Sequence, residues 1–226
     1  LIRFWIYYKY DRLVSQYKEA EMPKIVDKEE KRAKILEASV KVFAEKGWRK
    51  TKMSDIAEAA NIGKGTVYEY FRSKDELFAA SFQYFMAKAW VFVAESLAQI
   101  SDPLERLETY IVSWADILES KNVKYMEIVL DFWAEGIRSK GRTPSLDLMK
   151  FYYDNRSFIE QLLEDCIAID SIKSVDTKIV ASIIIGALDG LMIQWIMDKN
   201  AFAMKEAVSS FARLVIEGLK KDNESR

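Results

Sequence analysis

The chain of 226 residues has no histidine and a single cysteine, Cys166. Without histidine it lacks the commonest general base, the commonest metal ligand and the usual switch near neutral pH, which disfavours most hydrolytic mechanisms and metal sensing. One cysteine can close no internal disulfide and build no zinc cluster, and it points to a reducing, cytoplasmic compartment. Helix breakers are scarce as well. Eight Gly and three Pro, against ordinary usage of roughly 7% and 5%, favour long helices over a sandwich of strands and turns. The sequence offers no nucleophile–base pair, no phosphate loop between strand and helix, and no cluster of metal ligands, so catalysis ranks last and neither a cofactor nor a metal is expected.

What is present is apolar bulk. Half of the residues are hydrophobic and six are Trp, enough to bury one large core or two smaller ones. The expected class is all-α, with about nine helices. The net charge of −1 conceals a division along the chain. Residues 24–74 hold 13 Lys/Arg against 8 Asp/Glu, a balance of +5; residues 1–23 carry +1 and residues 75–226 carry −7. A basic segment on an acidic body fits a protein of which only one end meets phosphate.

The opening stretch "LIRFWIYYKYDRLVSQYKEAE" is aromatic, but Arg3, Lys9, Asp11 and Arg12 interrupt it, so it lacks the apolar centre of an export signal. Because Met22-Pro23 precedes a charged run resembling an ordinary bacterial start, residues 1–21 read as an upstream extension; a helical dimer arm or a membrane-surface arm is the alternative. The expected division is 1–23 extension, 24–75 helix-turn-helix head and 76–226 body.

From Asp27 the pattern is helical, with Ile35, Leu36, Val40 and Phe43 near the 3.6 period, Gly47 as C-terminal cap and Trp48 folding back on the core. Helices are expected from about Thr51 to Ala60, from Gly63 to Phe71, and from Ser73 to about Ile100, where Ser73 and Glu76 form a capping-box signature. Further starts stand at Asp102-Pro103 with Glu105, at Asn122, at Thr143-Pro144 and at Ser174, and a last helix spans Phe202 to Lys220. Ile179 to Met197 approaches the length of a membrane span. Asp189 and Gln194 oppose that reading, and Ser182, Gly186 and Gly190 recur every four residues as a stripe of small side chains. The expectation is a helix at a subunit contact, with no membrane.

Met53 to Phe71 has the spacing of a helix-turn-helix. Ala57 permits a close crossing, Asn61 stands in the turn where φ is positive, and Ile62 and Val67 wedge the two helices at a fixed angle. The second helix then presents its N-terminal half to a major groove. Gly63 and Gly65 let backbone approach phosphate. Lys64 can reach a guanine edge or a phosphate, Thr66 a phosphate or a thymine methyl, and the hydroxyls of Tyr68 and Tyr70 phosphates, with Lys74 on the same strand. Thr51, Lys52 and Ser54 cover the opposite flank. Taken singly, the tyrosines read equally well as half-core aromatics and Lys64 as a solvated charge; spacing and charge division together carry the DNA-binding reading.

Over Ile35 to Leu77, "ILEASVKVFAEKGWRKTKMSDIAEAANIGKGTVYEYFRSKDEL", the sequence resembles the TetR family of bacterial transcriptional regulators. The resemblance implies a three-helix DNA-binding head, a larger helical body that binds a small ligand, and a homodimer formed by the last two helices. "GALDGLMIQWIMD", Gly186 to Asp198, is similar to the dimer-forming helix, with Ser182, Gly186 and Gly190 at the interface. Asn61 departs from the family's usual glycine, Gly63 from serine and Glu69 from histidine or a neutral polar residue, which bears on operator sequence. Glu69 is expected to face away from phosphate.

In the body, Ile111, Trp114 and Leu118 share one helix face; Met126, Leu130, Trp133 and Ile137 a second; Leu148, Tyr152, Asn155 and Ile159 a third. The plain reading is core. The sharper one is an apolar cavity lined by Trp114, Tyr125, Met126, Trp133 and Tyr152, with Asn155 or Tyr125 orienting an apolar or aromatic effector. The expected function is a ligand-released repressor that binds a palindromic operator as a homodimer, the fourth helix carrying the signal. A helical adaptor that binds a protein partner on DNA is the competing reading.

Overall fold

The computed structural model describes residues 23–119, 124–138 and 147–221. The upstream extension, Asn122 and Thr143-Pro144 therefore lie outside the described residues. Within them are nine α-helices and no strand: α1 (Pro23–Lys46), α2 (Met53–Ala59), α3 (Lys64–Tyr70), α4 (Lys74–Leu97), α5 (Pro103–Glu119), α6 (Lys124–Arg138), α7 (Leu148–Ala168), α8 (Thr177–Met197) and α9 (Met204–Leu219).

Helix α1 buries Ile35, Leu36, Val40 and Phe43 on one face. It stops at Gly47, whose φ of 76 lies in the left-handed region that a residue without Cβ enters freely; its N–H donates to the Phe43 carbonyl at 2.8 Å. Two serines let α1 and α4 approach. The buried Ser39 and Ser81 hydroxyls are 2.6 Å apart.

Side-chain caps fix the starts of α4, α5, α7 and α8. Ser73 accepts the Glu76 N–H at 3.1 Å, but the Glu76 carboxylate reaches past Ser73 to the Arg72 N–H, 2.8 Å away. Asp102 accepts from Glu105 N–H at 2.9 Å and Asp147 from Lys150 N–H at 2.8 Å. Helix α8 is capped by Asp176, which accepts from Ile179 N–H at 3.0 Å, and not from Ser174 onward as the sequence implied. A cap must stand directly before the first helical residue for its side chain to reach the free N–H groups.

Helix α1 packs on α2, α4 and α6; α5 runs between α4, α7 and α9; α8 lies against α7 and α9. One continuous apolar cluster extends from Ile35 to Leu219. Helix α6 departs from the expected face: Ile128, Val129 and Phe132 are buried, whereas Ile137 is 74% exposed. Two apolar stripes adjoin on this helix: Phe132 stacks on Phe78, with centroids 3.9 Å apart, and of the other stripe Trp133 is half-buried while Ile137 stands in solvent. Where α6 meets α7, a Cβ on Gly136 would lie 2.5 Å from a Leu148 methyl, so any larger residue there would force Leu148 to shift.

Helix α8 buries Ala181, Ile184, Leu188, Met192 and Trp195 but leaves Ile179, Ile183, Ile193 and Met197 exposed. By length and composition alone it could cross a membrane, as could α4. Its outward apolar stripe is what sets it apart from an ordinary core helix.

Candidate nucleic-acid interface and ligand cavity

The turn between α2 and α3 is built by backbone geometry. Asn61 takes φ 54, and the Ile62 N–H donates to the Ala57 carbonyl at 3.0 Å. Ala57 and Val67 are buried and Ile62 packs against them at the edge of the core, which fixes how α3 leaves the turn. Lys64 and Gly65 are then exposed and Thr66 half-exposed. Tyr68 is 45% exposed, and the Lys64 ammonium lies 5.9 Å from its ring centre, so a cation and a phenol share one outward face. Gly63 stands at the N-cap with φ −66, a conformation open to any residue. Its use is lack of bulk.

On the other flank Lys52 and Ser54 are exposed. The Lys52 N–H donates to Asp55 at 2.8 Å, a bond that, with the Lys46 ion pair at 3.2 Å, holds the Asp55 carboxyl below its usual range. Two residues of the expected set turn inward. Thr51 is buried, its hydroxyl donating to the Gly47 carbonyl at 2.8 Å. The Lys74 ammonium donates to the carbonyls of Trp48, Arg49 and Thr51 at 2.9, 3.3 and 3.1 Å and sits 4.3 Å from the Trp48 ring centre. Their donors are spent on clamping the loop between α1 and α2. Tyr70 is half-buried against the core. Arg49 and Lys50, exposed in the same loop, extend the basic flank; no periodicity marked them. Glu69 lines a polar cleft with Arg32, Arg72 and Glu76.

In the body, a cavity of ≈ 80 Å³ opens between α4, α5, α6, α7 and α8. Of the residues expected there, Trp114, Trp133, Tyr152 and Asn155 line it. The side chains of Tyr125 and Met126 lie outside the described residues. Helix α4 adds Phe82, Phe85 and Met86, and α8 adds Leu188, Asp189 and Met192. Asn155 is buried and internally satisfied, accepting from the Tyr110 hydroxyl and donating to the Phe151 carbonyl, both at 3.3 Å. Asp189 is the polar group sequence reasoning missed as a cavity residue. A charge within an apolar run was its signal, and only the packing of α7 beside α8 reveals that it faces the cavity. Tyr152 donates to it at 2.8 Å, yet burial outweighs that bond and pushes the carboxyl up to about 6. Burial and the adjacent carboxylate push the Tyr152 phenol upward in turn.

The cavity and the head are joined by rings. Trp48 stacks on Phe78 at 4.7 Å, Phe78 on Phe132 at 3.9 Å, Phe132 meets Phe82 at 4.3 Å, and Phe82 meets Phe151 at 5.7 Å. Phe82 and Phe151 belong to the cavity wall.

Residues 35–81 match the model of bacterial regulatory proteins of the tetR family, and residues 102–221 match that of the C-terminal region of MAATS-type transcriptional repressors. The fatty acid metabolism regulator protein of Bacillus subtilis is 23% identical over 193 residues, covering 85% of this chain and 97% of its own. Among solved structures, a putative regulator from Saccharomonospora viridis in complex with choline aligns with a TM-score of 0.72 at 20% identity, covering 86% of this chain and 99% of its own. FadR from Bacillus subtilis in complex with stearoyl-CoA aligns at 0.66 and 21%, covering 83% and 99%. A helix-turn-helix with an exposed Lys64–Tyr68 face, carried on a helical body with an aromatic cavity, together with these matches, identifies the chain as a member of the TetR family of DNA-binding transcriptional regulators.

Proposed function

We propose that the protein is a cytoplasmic repressor that holds a palindromic operator as a homodimer and is released by a small molecule entering the body cavity. The head comprises residues 24–75 and the body 76–226. Lys64, Gly65, Thr66 and Tyr68 enter the major groove, while Lys52 and Ser54 engage the flanking backbone. The observation that carries this reading is the outward Lys64–Tyr68 face at the start of α3. Family members are regulators, and enzymatic activity is not part of the proposal.

The dimer is assigned to α8 and α9. Ser182 and Gly186 are exposed, Gly190 half-exposed, and a Cβ on either glycine would meet nothing within 4 Å. Leu214 of α9 is 69% exposed. Such a flat apolar stripe suits a second copy of itself, and a twofold dimer would set its two α3 helices about 34 Å apart, one helical turn of DNA.

The volume supplies the coupling. An apolar cavity of about 150 Å³ accommodates benzene, and this one measures ≈ 80 Å³, so an effector of drug size must part its walls. Phe82 and Phe151 are such walls, and their ring contacts lead through Phe132 and Phe78 to Trp48. The relatives' ligands, stearoyl-CoA and choline, are chemically unlike each other, in keeping with a family body that adapts its cavity to each effector. Selection of duplexes from a random pool, followed by mobility shifts, tests the reading. An enriched palindrome bound by two chains is expected, and indifference to every duplex at low salt would sink it.

A further inference from the structure

The cavity wall contains a carboxylate that an apolar effector does not explain. Asp189 sits in the middle of α8 among Ile185, Leu188 and Met192, and among the described residues no Lys or Arg lines the space it faces. Among the described residues its hydrogen bond comes from a neutral phenol, Tyr152, at 2.8 Å. A half-buried carboxylate with no counter-charge beside it is costly, and a ligand that supplies the opposite charge relieves that cost, which makes the group a candidate for ligand binding. The surrounding rings point the same way. Phe82, Phe85, Trp114, Trp133 and Phe151 line the same space, and the negative faces of aromatic rings attract a cation, most of all when it has left water.

Resting on the reading of this cavity as the effector site, we propose that the effector is an organic cation, an ammonium or amidinium on an apolar or aromatic body, seated between the Asp189 carboxylate and the aromatic walls. Asp189, not Asn155, orients it. Asn155 has both ends of its amide engaged by Tyr110 and the Phe151 carbonyl. The same arrangement rejects carboxylate ligands such as free fatty acids, whose charge would face Asp189 in a poorly screened space.

The test uses two molecules of one shape: benzyltrimethylammonium and its uncharged carbon counterpart, neopentylbenzene. Binding to the full-length protein is followed by tryptophan fluorescence and by thermal unfolding, and release from DNA by mobility shift. The cation is expected to bind about ten-fold or more tightly than its counterpart. Asp189→Asn should bring the two within about three-fold of each other, the lost affinity being the cation's. Tyr152→Phe should keep the preference, because it removes the phenol and leaves the carboxylate. Equal binding of the two by the wild-type protein overturns the proposal whether or not any variant folds, as does a folded Asp189→Asn protein that keeps the preference. If neither molecule binds, the proposal fails. Octanol, a neutral amphiphile, then separates the two readings: binding of octanol leaves the effector cavity standing, and its failure removes the cavity reading as well.

Discussion

Lys64 and Lys74 differ only in where their ammonium groups go, and the difference is measurable. Lys64 points outward beside Tyr68, whereas Lys74 holds three loop carbonyls. Lys64→Ala is expected to weaken operator binding by roughly 1–2 kcal/mol and to reduce the salt dependence by about one phosphate contact. Lys74→Met should lower stability by about 1–2 kcal/mol and weaken DNA binding through a loosened loop, with the salt dependence unchanged. Equal salt slopes for the two variants would overturn this assignment. Asp189 gives a second residue-scale test. Burial lifts its carboxyl to about 6 from an ordinary value near 3.9, so the folded protein binds this proton more tightly than the unfolded chain. Its cost is absent below about pH 4 and full above about pH 6. Among the described residues, the titratable groups facing it, Tyr152 from α7 and Tyr110 from α5, stay protonated because burial raises both phenols. Ligand-free Asp189→Asn should therefore be more stable at pH 7.5 by about 1–3 kcal/mol, with no gain at pH 4; chemical denaturation at the two pH values decides.

At the scale of elements, the proposed release from DNA requires a path from cavity to head, and α4 and α6 together supply one. Helix α4 runs from the loop clamp at Lys74 to the cavity wall at Phe82, Phe85 and Met86, and α6 wedges Phe132 between Phe78 and Phe82. A polar bridge ties α1 to α4 as well: Glu37 accepts from Tyr84 and Lys88, both at 2.7 Å. Phe132→Leu keeps the volume approximately and loses the ring stack. It should cost about 1–1.5 kcal/mol of stability while most of the 1–3 kcal/mol coupling typical between ligand and DNA sites disappears. Operator affinity measured with and without effector tests this, and full ligand response in the variant would exclude the ring path.

At the scale of the molecule, the outward stripe of α8 must be covered or tolerated. Because Gly186 and Gly190 have open space at their Cβ positions, Leu at both leaves the single chain unstrained and removes two helix-interior glycines, each worth about 1 kcal/mol to helix stability. A dimer that uses these positions would be pushed apart by the added bulk. Sedimentation of the double variant should show a folded monomer with operator affinity reduced at least ten-fold; a dimer of native affinity would refute the interface.

Composition and pattern by themselves determined the all-α class, the helix-turn-helix and its turn at Asn61, because these depend on neighbours within a few residues: propensity, capping and backbone conformation are local. Trp114, Trp133, Tyr152 and Asn155 were legible as inward aromatic and polar positions for the same reason. The tertiary structure alone decided the rest. It buried Phe132 of α6 while leaving Ile137 exposed, turned Lys74 and Thr51 inward, and set Asp189 against Tyr152, since a side chain's partners come from helices distant in sequence. A periodic stripe states that a face is apolar, and only the packed neighbours determine whether that face meets core, cavity or solvent.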